Sequence, residues 1–299
     1  MKSKWYSKAL LTIVLIALVV YLTNNIQKIS DFEFDFNPIN CAISIAVMFM
    51  AYLLMFVTWL LIASSMDLKA PIIKTAKFYF LSQLGKYLPG NIGLFLLRLD
   101  AYKGYSKKKV AVTTMVEYII NISGFCIAGL IGLSVLPVEL AKWYRIIPIV
   151  IVIILIFTLN KSILFNLINK VLKIFKREQL EYYPAYPLML LFVFFHIIVG
   201  FLMGLAFMFS LKSITIVSNN LYLPVAGVFM LATLSGIMAP FAPGGIGVRE
   251  GILFLVLPIL IPKPAVIVGA IIIRLVVTFA EIFLTLTSFA IYKLSNPAE

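Results

Sequence analysis

The chain has 299 residues, of which 63% are hydrophobic and 12% charged, with a mean hydropathy of +1.07. A soluble domain carries about a quarter charged residues, so this composition excludes an ordinary water-soluble enzyme; it also excludes disorder, which needs low hydrophobicity. The net charge of +13 sits in short loops between apolar runs, which points to membrane orientation and anionic head groups rather than to nucleic acid.

In chain order, Ala9 to Gln27 is free of charge and follows Lys2, Lys4 and Lys8. No small-x-small cleavage pattern closes it, so a spanning helix is predicted there rather than a signal peptide. The loop Asn24 to Pro38 is acidic, with Asp31, Glu33 and Asp35 against Lys28. Its alternating phenylalanines fit a solvated interface loop better than a metal site. Further spans are predicted over Ile39 to Met66, Val110 to Leu136, Ile146 to Asn160, Pro187 to Leu211 and Pro264 to Tyr292, each near the roughly 20 residues a crossing helix needs. Lys161 to Arg177 places Leu164, Leu167, Ile168, Val171, Leu172 and Phe175 opposite Lys170, Lys173, Lys176 and Arg177. That is the pattern of an amphipathic helix on a membrane surface, serving as a connector that anchors the loop to anionic lipid.

Two apolar stretches do not read as simple spans. Thr75 to Arg98 is interrupted by Gly85-Lys86 and Pro89-Gly90, and Leu221 to Gly251 by Pro240, Pro243, Gly244, Gly245 and Gly247. Each is predicted to be a re-entrant hairpin, because irregular backbone at membrane depth must be buried in protein or line a cavity. The expected fold is therefore an all-α polytopic membrane protein with about six spanning helices and two re-entrant helical hairpins. Lysine and arginine crowd the N-terminus and the segments 67–86, 98–109 and 161–177, which puts both termini inside a cytoplasmic membrane.

The hairpins share a motif. Pro89-Gly90-Asn91-Ile92-Gly93 and Pro243-Gly244-Gly245-Ile246-Gly247 both read P-G-x-I-G, and each is followed by an arginine, Arg98 or Arg249. A long span precedes each copy and another begins after a lysine, Lys109 or Lys263. With the orientation above, the hairpins enter from opposite sides, as in the inverted repeats of transporters, whose Gly/Pro-interrupted segments mark the binding site. The expected organisation is 1–38, a spanning helix and outer loop; 39–160, a first repeat with its hairpin at 70–98; 161–186, the amphipathic linker; and 187–299, a second, inverted repeat with its hairpin at 221–251.

Arg98, Glu117, Arg249, Glu250, Arg274 and Glu281 lie within or at the ends of apolar segments, where charge is costly and should face the bundle interior and pair. Glu117 and Asn121, four apart, share a helix face; Arg274 and Glu281, seven apart, share another. Arg98 and Arg249 follow their Pro-Gly breaks, where backbone N–H groups and a guanidinium together suit a phosphate-type anion. Cys41 and Cys126 read as small buried hydrophobes, and His196 as a packed core histidine. The sequence has no metal-ligand cluster, P-loop or serine elbow, so no metal, cofactor or catalytic residue is expected.

GKYLPGNIG at Gly85 to Gly93 and APGGIGVREG at Ala242 to Gly251 resemble the two signature segments of the lysylphosphatidylglycerol synthase transmembrane family, over roughly Ile39 to Leu294. The resemblance implies a flippase-like membrane domain whose substrate region contains Lys86, Pro89, Gly90 and Arg98, then Pro243, Gly244, Gly245, Arg249 and Glu250, with Arg274 on the last span. The chain ends at Glu299, so the soluble aminoacyl-transfer domain of bifunctional members is expected to be absent, and synthase activity with it. The function expected is translocation of an anionic phospholipid or polyprenyl-phosphate-linked lipid, with Glu117, Glu250 and Glu281 neutralising the arginines when the site is empty. Self-association is left open. Competing readings are an accessory membrane subunit of envelope lipid or glycan synthesis, and a membrane-embedded enzyme that modifies a lipid head group. An enzyme needs an acid/base pair or metal facing one aqueous side, whereas these charges sit in two oppositely facing halves, so no enzymatic activity is expected.

Overall fold

A computed structural model describes residues 30–87, 92–137, 143–158, 184–239 and 241–296, together with residue 23 and scattered positions between 160 and 174. The expected first span over Ala9 to Gln27, and most of the amphipathic helix over Lys161 to Arg177, lie outside the described residues. The helices are α1 (Pro38–Ser65), α2 (Ile72–Leu84), α3 (Ile92–Ala101), α4 (Lys107–Ser134), α5 (Trp143–Thr158), α6 (Tyr186–Lys212), α7 (Tyr222–Met238), α8 (Val248–Val256) and α9 (Lys263–Ser295). The fold is all-α and polytopic, with no strand among the described residues.

Length separates the helices into two kinds. α1, α4, α6 and α9, and α7 with its leading turn (Asn219–Met238), are long and apolar enough to cross a membrane. α1, with 28 residues, is about 42 Å long at 1.5 Å per residue, against a hydrocarbon core of about 30 Å. Four of these helices coincide with predicted spans to within a few residues. The fifth, α7, falls in the stretch assigned from sequence to a hairpin: its apolar run continues unbroken to Met238, and the Pro/Gly interruptions begin only after it. The span expected over Ile146 to Asn160 is a helix of 16 residues, about 24 Å, short for a full crossing. α2, α3 and α8 are shorter still, with 13, 10 and 9 residues.

Local chemistry sets several helix ends. Asn37 starts α1: its Oδ1 accepts from the Ile39 and Asn40 amides at 3.0 and 3.1 Å, with Pro38 at the first helical position, where its missing N–H costs nothing. In the preceding loop Asp31, Glu33 and Asp35 are exposed while Phe32 and Phe34 pack against the core, the alternation read from the sequence. Gly247 (φ 84°) starts α8, and Glu250 reaches back to accept from its amide at 2.8 Å, half of a capping box that also occupies one carboxylate oxygen.

The order of a spanning helix, a broken helix pair and a second spanning helix occurs twice: α1, α2–α3, α4 and then α6, α7–α8, α9. The packing repeats as well. α1 lies along α6; α2 packs on α9 as α7 packs on α4; α4 meets α6 as α9 meets α1; and within each pair α2 packs on α3 and α7 on α8. One departure stands out. α7 is wedged broadly against α6, whereas its counterpart α2 touches α1 at only a few positions.

Backbones approach closely at the α4–α7 seam. A Cβ on Gly132 would lie 2.4 Å from the Gly227 Cα, and one on Gly227 would lie 2.6 Å from the Gly132 Cα. Small residues are what allow such helix contacts in lipid, where apolar surface gains little from association. Gly132→Leu is expected to force α4 and α7 apart and to cost about 1–3 kcal/mol or more, read as a lowered unfolding midpoint in detergent. Arg98, Glu117, Arg249, Glu250 and Glu281 are buried within the bundle, while α9 turns Ile271, Leu275, Phe279, Ile282 and Leu286 outward, as a lipid-facing helix should.

Cys41 and Cys126 are unpaired and half-buried. The sequence reading of both as buried is corrected here to partial burial. His196 is fully buried, with Nδ1 3.0 Å from the Phe192 carbonyl, in keeping with a packed core histidine.

Candidate functional site

The two interrupted segments come together. The turn Gly85–Tyr87 that ends α2 lies against the turn Pro243–Gly245 that precedes α8. Between them and the long helices is a cavity of about 140 Å³, whose polar lining is Gln83, Lys86, Arg98, Glu117, Asn121 and Arg249 with the backbone of Gly244 and Gly245. Its apolar lining includes Met48, Met55, Phe125, Met203, Phe229 and Val277. The second turn owes its shape to glycine. Gly245 has φ +70°, and a Cβ there would meet the Gly236 Cα at 2.9 Å, so the turn can seat on α7 only without a side chain. Pro89 and Gly90 lie outside the described residues.

Three ion-pair groups ring this cavity. In the first, the Arg98 guanidinium pairs with Glu117 of α4 and donates from Nε to the Ser82 hydroxyl at 3.2 Å. Its face lies 4.1 Å from the Trp59 ring centre and 4.9 Å from that of Tyr79, a stacking geometry that favours arginine over lysine. Only 2% of Arg98 is exposed, so it is a pillar of the wall more than an open ligand.

In the second group, Glu250 accepts from Arg249 at 3.2 Å and from Arg274 at 2.9 Å. Arg274 Nη2 also lies 3.5 Å from the Gly244 carbonyl oxygen, tying α9 to the glycine turn. In the third, Glu281 of α9 accepts from both Lys86 and the Tyr52 hydroxyl, joining α9, the first turn and α1. The Lys86 and Arg274 side chains keep 28% and 22% of their exposure, so these cations retain reach that Arg98 has lost.

Of the residues singled out from sequence, Lys86, Arg98, Glu117, Gly244, Gly245 and Arg249 line the cavity; Glu250, Arg274 and Glu281 join it through their ion pairs, Pro243 opens the second turn, and Pro89 and Gly90 lie outside the described residues. Glu117 and Asn121 share a face and both line it. Arg274 and Glu281 also share a face, yet each serves a different partner: Arg274 holds the second turn, and Glu281 the first. Sequence reasoning missed Tyr52, Trp59, Tyr79, Ser82, Gln83 and Thr233. A signal for part of this set was available, because Thr75, Tyr79, Ser82, Gln83 and Lys86 recur at helical spacing within an apolar segment, a polar stripe on one face. Among the described residues no group of three His, Cys, Asp or Glu side chains is placed to hold a metal ion.

Apolar helices, a buried set of mutually neutralising charges and a cavity between two interrupted helix pairs define a multi-pass membrane protein with an internal polar site. The lysylphosphatidylglycerol synthase TM region model matches residues 8–284, and the chain belongs to that family. No curated protein matches it.

Proposed function

We propose that this protein is a flippase that translocates an anionic lipid across the cytoplasmic membrane, binding the phosphate-bearing head group in the cavity where the two interrupted segments meet. The observation that carries this reading is the charge of the cavity wall and of the ion-pair partners directly behind it. Lys86, Arg98, Arg249 and Arg274 face three carboxylates, Glu117, Glu250 and Glu281, which leaves one positive charge in excess inside an apolar bundle. A phosphate group neutralises that excess, and Arg249 with Lys86 contributes the charge-assisted hydrogen bonds that hold it. The apolar lining of the cavity accommodates the start of the chains, whose remainder stays in the bilayer.

The twofold recurrence of helix order and packing supports an inverted repeat, with the interrupted pairs α2–α3 and α7–α8 entering from opposite sides and both termini on the inner side. Rocking one repeat against the other would then expose the site to each side in turn. The carboxylates support transport over chemistry: each is engaged by at least one cation, a poor arrangement for a general base.

Binding is tested with short-chain lipids in detergent. Dioctanoyl phosphatidylglycerol should raise the unfolding midpoint of the wild type by ligand linkage, dioctanoyl phosphatidylcholine much less, and Arg249→Ala should lose the difference. Equal shifts from both lipids would remove the anion site.

A further inference from the structure

Packing of α2 on α9 occurs at two basic side chains. Lys77 lies 3.9 Å from the ring centre of Tyr292 and 4.9 Å from that of Phe289, with Phe78 at 5.2 Å. Nine positions later, Lys86 reaches Glu281. As the number rises on α2 it falls on α9, so the two segments run antiparallel, and the basic groups stand about 13 Å apart along the seam. The inner one lines the cavity; the outer one sits near the C-terminal end of α9.

The counterpart seam, α4 with α7, is built differently. There Gly132 meets Gly227 backbone to backbone, with no room for a guest. The α2–α9 seam is instead bridged by the long side chains of Lys77 and Lys86, whose charged contacts a competing anion can share. On its other flank α2 stands further from α1, which it meets through aromatic rings, Phe56 and Trp59 against Tyr79 and Phe80, while the backbone of α7 is wedged against α6. Of the two equivalent seams, only α2–α9 is therefore bridged, among the described residues, by cations that an anion could draw away.

We propose that the α2–α9 seam is the lateral portal through which the lipid reaches the cavity, and that Lys77 is a staging site for its phosphate before Lys86. This rests on the transporter reading above. The aromatic rings hold the Lys77 ammonium by cation–π attraction and keep it extended towards α9. An arriving phosphate shares that ammonium without its having to be desolvated afresh. Lys74, one turn earlier on α2, and Lys293, beside Tyr292, add positive charge near the same end of the seam. From Lys77 the head group passes to Lys86, displacing it from Glu281, while the chains follow through the parted seam.

The test tethers the seam reversibly. In a Cys41→Ala, Cys126→Ala background, Lys77→Cys and Tyr292→Cys are bridged by a reducible bis-thiosulfonate spacer in proteoliposomes, and translocation of labelled phosphatidylglycerol is followed before and after reduction. Bridging is expected to slow translocation at least tenfold, with recovery on reduction. An unchanged rate in the bridged protein overturns the portal while leaving transport intact. Absence of translocation in the wild type overturns transport and the portal together. Glycerol 3-phosphate moving as fast as the lipid would also overturn the portal, because a soluble ion needs no opening towards the bilayer. Lys77→Gln is expected to raise the lipid concentration for half-maximal rate several-fold at an unchanged maximal rate, with Lys77→Arg restoring it. A purely structural role would lower the maximal rate as well.

Discussion

Glu117→Ala is expected to be the most destabilising single change in the site, lowering stability by about 3–5 kcal/mol, because it leaves the Arg98 guanidinium buried without its counter-ion. Arg98 is 2% exposed and enclosed by Trp59, Tyr79 and Ser82, so water cannot take the place of the carboxylate. Removing both charges together, as Arg98→Met with Glu117→Leu, should recover much of the loss, since apolar side chains of similar volume do not need neutralising. Unfolding midpoints of the wild type, Arg98→Met, Glu117→Leu and the double variant form a cycle that reads the coupling. A double variant no more stable than Glu117→Leu would show that the pair does more than neutralise itself.

Arg249→Ala is expected to act in the opposite way, with little loss of stability and at least a tenfold loss of translocation. Its partner Glu250 keeps Arg274 at 2.9 Å and the Gly247 amide at 2.8 Å, so no buried charge is orphaned and the structural cost should stay near 1 kcal/mol. The cavity, however, loses its one excess positive charge. A phosphate entering it would then face three carboxylates balanced by three cations, with nothing left to offset its own desolvation. Arg249→Lys should retain part of the rate, because charge persists while the two-pronged geometry is lost. Translocation rates and unfolding midpoints measured on the same preparations separate the two effects.

Much of this architecture was legible before any coordinates. Four of the long spans, α1, α4, α6 and α9, declare themselves by hydropathy. The Pro-Gly breaks announce where the helices stop, and the intramembrane charges announce that they must find one another. Pairing was less legible. Spacing puts Arg274 and Glu281 on one face but gives no hint that they serve different turns. Nor did it foretell that Arg98 would be stacked on Trp59 and Tyr79, which come from two other helices. Such partners are fixed by how α1, α2 and α3 pack, and packing is a property of the whole bundle rather than of any local pattern. α7 shows the opposite difficulty: its glycines, proline and apolar run are legible, but whether it crosses depends on where the interruption falls, and that lies beyond Met238.

The central claim is that a lipid with an anionic head group crosses the bilayer through this cavity. It is tested most directly in proteoliposomes, by a head-group accessibility assay on labelled anionic phospholipids and polyprenyl phosphates. With wild-type protein, one of these lipids is expected to change leaflet well above the protein-free rate, and Arg249→Ala is expected to abolish the gain. Well-inserted protein that moves no member of the panel, or that converts a lipid chemically instead of moving it, would contradict the account.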